Sequence, residues 1–216
     1  MMRNYYAWGL ALITLFVAPG LTGHAFAQMP FGAELHLGGG YTVPQQDFGK
    51  RFDGRGHFII GGGFKILPFT ELQAEYMYNT FGINRRTLAS LNEPNGDAHM
   101  QSITVNPVVH LPVPGRFGLY GTAGVGFYHR TVEFTRPTTA VVTFFDPYFG
   151  YFFNAPVAAN QVIGSKSRNA FGYNIGAGIT YKLSGPTQLY FEARYHDVFT
   201  PHGHTQILPV TVGIRF

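Results

Sequence analysis

The stretch that most constrains this chain is residues 205–216, Thr-Gln-Ile-Leu-Pro-Val-Thr-Val-Gly-Ile-Arg-Phe. From Leu208 onward, Leu208, Val210, Val212, Ile214 and Phe216 fall on one side. Pro209, Thr211, Gly213 and Arg215 fall on the other. A period of two is that of a β-strand with two unlike faces. The apolar side runs without a break to the aromatic Phe216. Water penalises such a face and lipid does not, and aromatic residues mark the interface in strands that cross a membrane.

Seven further segments repeat the alternation. Residues 33–43 place Leu35, Leu37, Tyr41 and Val43 together, and residues 57–67 do the same with Phe58, Ile60, Phe64 and Ile66. In residues 70–80, Leu72, Ala74, Tyr76 and Tyr78 oppose Glu71, Gln73, Glu75 and Asn79. Residues 98–111 set Ile103, Val105, Val109 and Leu111 against Ser102, Thr104, Asn106 and His110; Pro107 removes a ladder donor, so a bulge or distortion is expected there. Residues 117–134, 170–183 and 187–199 complete the set, with Phe127, Ile175 and Phe191 on their apolar sides. No segment after residue 27 carries a sustained helical period.

The connections alternate in length. Residues 67–70, 111–116 and 183–187 read as tight turns rich in Pro and Gly. Residues 44–56, 81–97, 135–169 and 200–204 read as the loops between them, three of them long. Short turns on one side and long loops on the other describe an outer-membrane barrel with periplasmic turns and extracellular loops. An even strand number then places both termini in the periplasm.

Residues 1–27 have the form of an export leader: Arg3, an apolar run over residues 7–18, a Pro19-Gly20 break, and Ala25-Phe26-Ala27 as a small-x-small cleavage site after Ala27. The apolar run is shorter than the ~20 residues a spanning helix needs. Cleavage would leave 189 of the 216 residues (216 − 27), residues 28–216, as one barrel domain. The chain is aromatic-rich (Tyr 13, Phe 21), low in charge at 12%, and has no Cys. An exported chain without disulfides needs another source of stability, and closing a sheet on itself supplies one. A net charge of +4 with no basic stripe excludes a nucleic-acid reading.

From end to end, residues 28–216 resemble the small outer-membrane β-barrel proteins of the OmpA transmembrane-domain type. Residues 35–43, 120–128, 173–183, 190–195 and 210–216 carry the resemblance. It implies an all-β, eight-stranded antiparallel up-and-down transmembrane barrel preceded by a cleavable signal peptide. It also implies that Phe216 belongs to the signal read by the barrel-assembly machinery, and that outer-membrane lipid and lipopolysaccharide surround the wall. The peptidoglycan-binding domain of full-length OmpA is not carried over. A soluble lipocalin-like barrel is the rival fold, with the apolar phase inside.

Chemistry is sought on the polar phase. Glu34, Lys65, Glu71, Glu75, Lys182, Glu192, Arg194 and Arg215 all fall on it. Unpaired charges inside a narrow barrel are costly, so they are expected to pair. Glu75 and Glu192 come out at similar depth, with Arg194 two residues higher; these three form the expected lumen network. A gated polar pathway is the alternative, and a carboxylate pair for acid–base catalysis comes last, because the sequence shows no nucleophile or substrate pocket beside it. His196, His202 and His204 cluster near the last loop beside Asp197 without a four-ligand set, so solvent-exposed loop histidines are expected and no metal. His99 and Ser102 fall on opposite strand faces, which disfavours a serine-hydrolase arrangement. Gly38-Gly39-Gly40 and Gly61-Gly62-Gly63 lack the residues of a phosphate loop and read as room for tight lumen packing.

Within the third long loop, Phe144, Phe145, Tyr148, Phe149, Tyr151, Phe152 and Phe153 put seven aromatics into ten residues. A solvated loop does not ordinarily expose so much apolar surface. It is expected to pack on itself, to lie at the membrane interface, or to meet a partner. The functional expectation is a non-enzymatic structural or surface-interaction protein, adhesion-like, with no catalytic residue and no cofactor. A narrow pore is the second reading and a lipid-modifying enzyme the third. The extracellular ligand is not legible.

Overall fold

A computed structural model describes residues 32–183, 185–201 and 203–216. The proposed leader and its Ala27 site lie outside the described residues. The elements are β1 (Ala33–Gln45), α1 (Gln46–Gly49), β2 (Phe52–Leu67), β3 (Thr70–Ile83), α2 (Arg85–Leu91), β4 (Asn95–Leu111), β5 (Phe117–Asp146), β6 (Tyr151–Lys182), β7 (Gln188–Thr200) and β8 (Gly203–Arg215). Each strand pairs antiparallel with the next, and β8 pairs with β1 from His36↔Arg215 to Gln45↔Gln206, so the sheet closes. Beyond the last rung, Phe216 and Leu35 exchange backbone hydrogen bonds of 2.8 and 3.2 Å. Closure leaves the barrel wall without an edge strand.

The alternation of each strand becomes an inside and an outside. Ile60, Ile103, Phe127, Ile175 and Val212 point outward and are 55%, 63%, 71%, 58% and 57% exposed. The buried positions of the same strands are largely polar, including Glu71, Glu75, Asn106, Asn174, Glu192 and Arg194. A soluble barrel would hide the first set and expose the second, so the lipocalin-like alternative is ruled out. An apolar wall around a polar interior fits a barrel that lipid surrounds.

Glycines on the inward phase make room for large rings. A Cβ on Gly178 would run into the Tyr120 ring, and one on Gly213 would lie 2.6 Å from Cζ of Tyr190. An eight-stranded barrel is just wide enough for side chains to fill. Two tyrosines therefore fit only where the facing wall has no side chain.

Three expectations from the sequence are corrected. Two short helices lie among the segments read as loops. α2 has Asn84 as its N-cap, accepting from Thr87 N–H at 2.9 Å, and left-handed Asn92 (φ 55°) as its C-cap. Seven and four residues are too few to show a helical period; the Asn caps are the readable signal for α2, whereas α1, between Gln45 and Lys50, has no side-chain cap. Pro107 causes no bulge, since β3 and β4 stay in register through Leu72↔Pro107, but the expected distortion is present as a gap in the β4–β5 ladder at Asn106 and Pro107. Against β5, pairing resumes at Val108↔Thr122 with the register of Val105↔Val125.

The third correction concerns residues 135–169, which are not a loop. β5 runs on to Asp146 and β6 begins at Tyr151, paired from Asp146↔Tyr151 down the whole hairpin. The turn between them is built by Asp146. Its carboxylate accepts the N–H groups of Tyr148 and Phe149 at 2.9 and 3.1 Å, its C=O accepts that of Gly150 at 2.8 Å, and Gly150 takes φ 69°. Asp-Pro-x-x-Gly is a turn signal between strand-forming residues.

Candidate functional site

The lumen is filled in layers. Nearest the short turns, Arg215 Nε lies 2.8 Å from Glu34, and Gln73 donates to Glu71 at 3.0 Å. The Arg215 guanidinium lies between two aromatic rings, 4.8 Å from the Tyr120 centroid and 5.4 Å from that of Tyr190. Above it, Tyr120 donates to Glu192 at 2.9 Å. At mid-height Arg194 joins Glu192 (2.6 Å) to Glu75, donating to both Glu75 oxygens. The structure thus brings together Glu75, Glu192 and Arg194, which come from β3 and β7. Glu75 also contacts His36 at 2.9 Å and accepts from Asn106, whose Oδ1 accepts from Asn174 at 2.9 Å. Arg194 is 3% and both carboxylates are 4% exposed, so these charges depend on one another and not on water.

Over this network sits a polar belt of Thr42, His57, Asn79 and Thr211, linked at 2.6 to 2.9 Å. An apolar plug of Phe48, Phe81, Ala98, Met100, Val198 and Ile207 then closes the end away from the short turns. Phe48 comes from α1 and stacks on Phe52 with centroids 4.4 Å apart. A cleft of about 660 Å³ lies outside the plug, lined by Lys50, Arg51, Arg130 and His204 among others. A cleft of about 270 Å³ opens at the short-turn end, lined by Glu34, Lys65, His110 and Lys182 among others. No residue lines both, and the network and plug stand between them. Lys65 and Lys182 are exposed at that rim and do not join the network. At the other rim, a hydrogen bond from Lys50 holds the Asp47 carboxyl below its usual pKa.

The histidines are placed otherwise than expected. His196 is not a solvated loop residue but is buried in the lumen, 2.8 Å from the Tyr128 hydroxyl. Its strand position on the Glu192 and Arg194 phase is the readable signal. His204 pairs with Asp197 at 2.8 Å, and His202 lies outside the described residues. Ser102 is buried inside and His99 lies on the other phase, 3.8 Å from Glu133. His36, Asn106, Tyr120 and Tyr190 do not stand out in the sequence, because a lumen partner on another strand has no signature in linear spacing.

The seven aromatics occupy the tip of the β5–β6 hairpin. Past Thr135 on β5, and from residue 170 back towards the tip on β6, the two strands pair only with each other among the described residues. At ~3.3 Å per residue this ribbon extends roughly 35 Å beyond the wall. Phe144 stacks on Phe153 (5.8 Å), and Phe145 packs tilted against Phe152 (5.0 Å). Adjacent residues alternate sides, so both faces of the ribbon carry an aromatic pair. Tyr148, Phe149 and Phe152 remain 87%, 68% and 71% exposed, so the rings do not bury one another.

The family model described as "Outer membrane protein beta-barrel domain" matches residues 9–216. The chain belongs to that family. No curated protein matches it in sequence. Its fold is similar to that of Neisserial surface protein A, with a TM-score of 0.57 at 11% identity over 85% of this chain and 96% of that one. A major outer membrane protein from Thermus thermophilus is similar at a TM-score of 0.54 and 9% identity, over 86% of this chain and 99% of that one. As a member of the outer-membrane barrel family, the protein is a bacterial outer-membrane protein. At such identities the two structures speak to the fold alone, and no role is transferred from them.

Proposed function

We propose that this barrel is a non-enzymatic surface-interaction protein, in which a closed barrel anchors the β5–β6 ribbon and its aromatic tip is the contact. The observation carrying this reading is the ribbon itself. Residues 137–164 include one charged side chain, Asp146, and the tip leaves its rings in solvent on both faces. A two-stranded ribbon with so much exposed apolar surface is marginal in water, and a binding surface accounts for it. The same reading includes a leader cleaved after Ala27, assembly through the strand ending at Phe216, lipopolysaccharide around the wall, and both termini in the periplasm with the ribbon outside the cell.

The test replaces residues 142–155 with a short Gly/Ser linker. Heat-modifiable gel mobility reports folding, and whole-cell binding to immobilised host-matrix glycoprotein and to phospholipid vesicles reports function. A folded barrel that no longer binds is the expected result. Loss of folding would make the ribbon part of the core, and unchanged binding would refute its role. The narrow-pore reading is tested by planar-bilayer conductance; the plug and the Glu75–Arg194–Glu192 network favour none, and a steady ohmic current would overturn the closed-lumen reading.

A further inference from the structure

A second feature at the ribbon end lies apart from the aromatic tip. Arg130 on β5 and Arg168 on β6 face each other directly across the ladder, and Lys166 follows Arg168 on the same inward phase. Like charges directly opposite one another destabilise a sheet. Arg130, Lys166 and Arg168 line a cleft of about 300 Å³ together with Val132, Phe134 and Thr200. Arg130 also lines the adjoining 660 Å³ cleft, where Lys50 and Arg51 add two more cations. Asp47 is the one carboxylate among the described residues lining either cleft, and it is already engaged by Lys50 at 2.6 Å. Two further acids at this end face other cations: Asp97 pairs with Arg55 at 2.6 Å, and Glu133 lies 3.8 Å from His99.

The site is also built. Arg130 Nη1 donates to Thr205 Oγ1 at 2.8 Å, and its guanidinium sits 5.6 Å over the Phe48 ring. That fixes the fork where it lines both clefts. Arg168 and Lys166 have no hydrogen-bond or ion-pair partner among the described residues. We propose that this cleft is a binding site for a phosphate or sulfate ester, with Arg130 and Arg168 as the paired forks and Lys166 as a third cation. A tetrahedral oxyanion matches the guanidinium fork, and two negative charges would relieve the repulsion between the arginines. A lipid head group in the outer leaflet would meet the outward phase of the wall. The inward phase opens to the aqueous mouth, so a soluble ligand is favoured over a lipid one. Access from outside the cell rests on the orientation proposed above.

The experiment is titration calorimetry of the detergent-solubilised barrel with inositol hexakisphosphate in low salt, with a second arm using lipopolysaccharide micelles as competitor. Both ends of the barrel are open to solvent in detergent, so the outcome is independent of orientation and of the hairpin reading. Binding that weakens at least tenfold in Arg168→Gln and in Arg130→Gln, and less than twofold in Arg85→Gln on α2, is expected. Without ligand, Arg168→Gln is expected to hold or raise Tm, because it removes one of two opposed charges. No binding by the wild type, or equal weakening by Arg85→Gln, would overturn the site. Competition by lipopolysaccharide at matched phosphate would reassign the ligand to the lipid head group and overturn the preference for a soluble one.

Discussion

Replacing Arg194 by Ala is the sharpest perturbation the lumen offers. The change removes one guanidinium, 3% exposed, and leaves two buried carboxylates without their counter-charge. Breaking a buried pair from one side costs ~3–5 kcal/mol, because the remaining charge stays desolvated. The two carboxylates are not left equally exposed to that cost. Glu75 keeps His36 at 2.9 Å and the Asn106 amide, whereas Glu192 keeps the Tyr120 hydroxyl at 2.9 Å. Neutralising Glu192 in the Arg194→Ala background should therefore recover the larger share, on the order of 1–2 kcal/mol within the usual range for coupled neighbours. The measurement is a urea titration of the barrel folded into lipid vesicles, followed by gel mobility and by circular dichroism. Arg194→Ala, Glu192→Gln and the double variant close one cycle, and Arg194→Ala with Glu75→Gln closes a second. Single effects that add within ~0.5 kcal/mol in both cycles would refute the network. Greater recovery with Glu75→Gln than with Glu192→Gln would refute the ranking of the partners.

Val212→Arg and Phe191→Arg place a charge on the lipid face and should each cost ~2–4 kcal/mol near the bilayer midplane, read as reduced assembly in the folded-band assay. Thr211→Arg, one residue from Val212 and 3% exposed, should act through lumen packing, so normal assembly of both lipid-face variants would invert the two faces of the wall. Gly213→Ala forces a methyl against the Tyr190 ring and the Leu37 carbonyl; overpacking of this kind costs ~1–3 kcal/mol, and adding Tyr190→Phe should not relieve it because the ring itself is the obstacle. The measurement is the same urea titration, and full recovery in the double variant would refute the steric account.

Residue order alone carried the architecture, because a strand's side chains alternate whatever surrounds them. Leu208 to Phe216 and seven similar runs were enough to give eight strands, their two faces, and which side of the wall Glu75, Glu192 and Arg194 occupy. Turn chemistry is equally local, and Asp146-Pro147 with Gly150 is the signal that makes residues 135–169 a hairpin where their length suggests a loop. What local pattern could not supply was the partner across the lumen. Arg194 meets Glu75 from a strand 119 positions away, and Arg215 meets Glu34 because closing the barrel brings β8 beside β1. The insertion of Phe48 from α1 as a plug has the same origin. Alternation assigns a side chain to the interior, but the curvature of the closed sheet sets its depth, its neighbour and whether any water is left beside it.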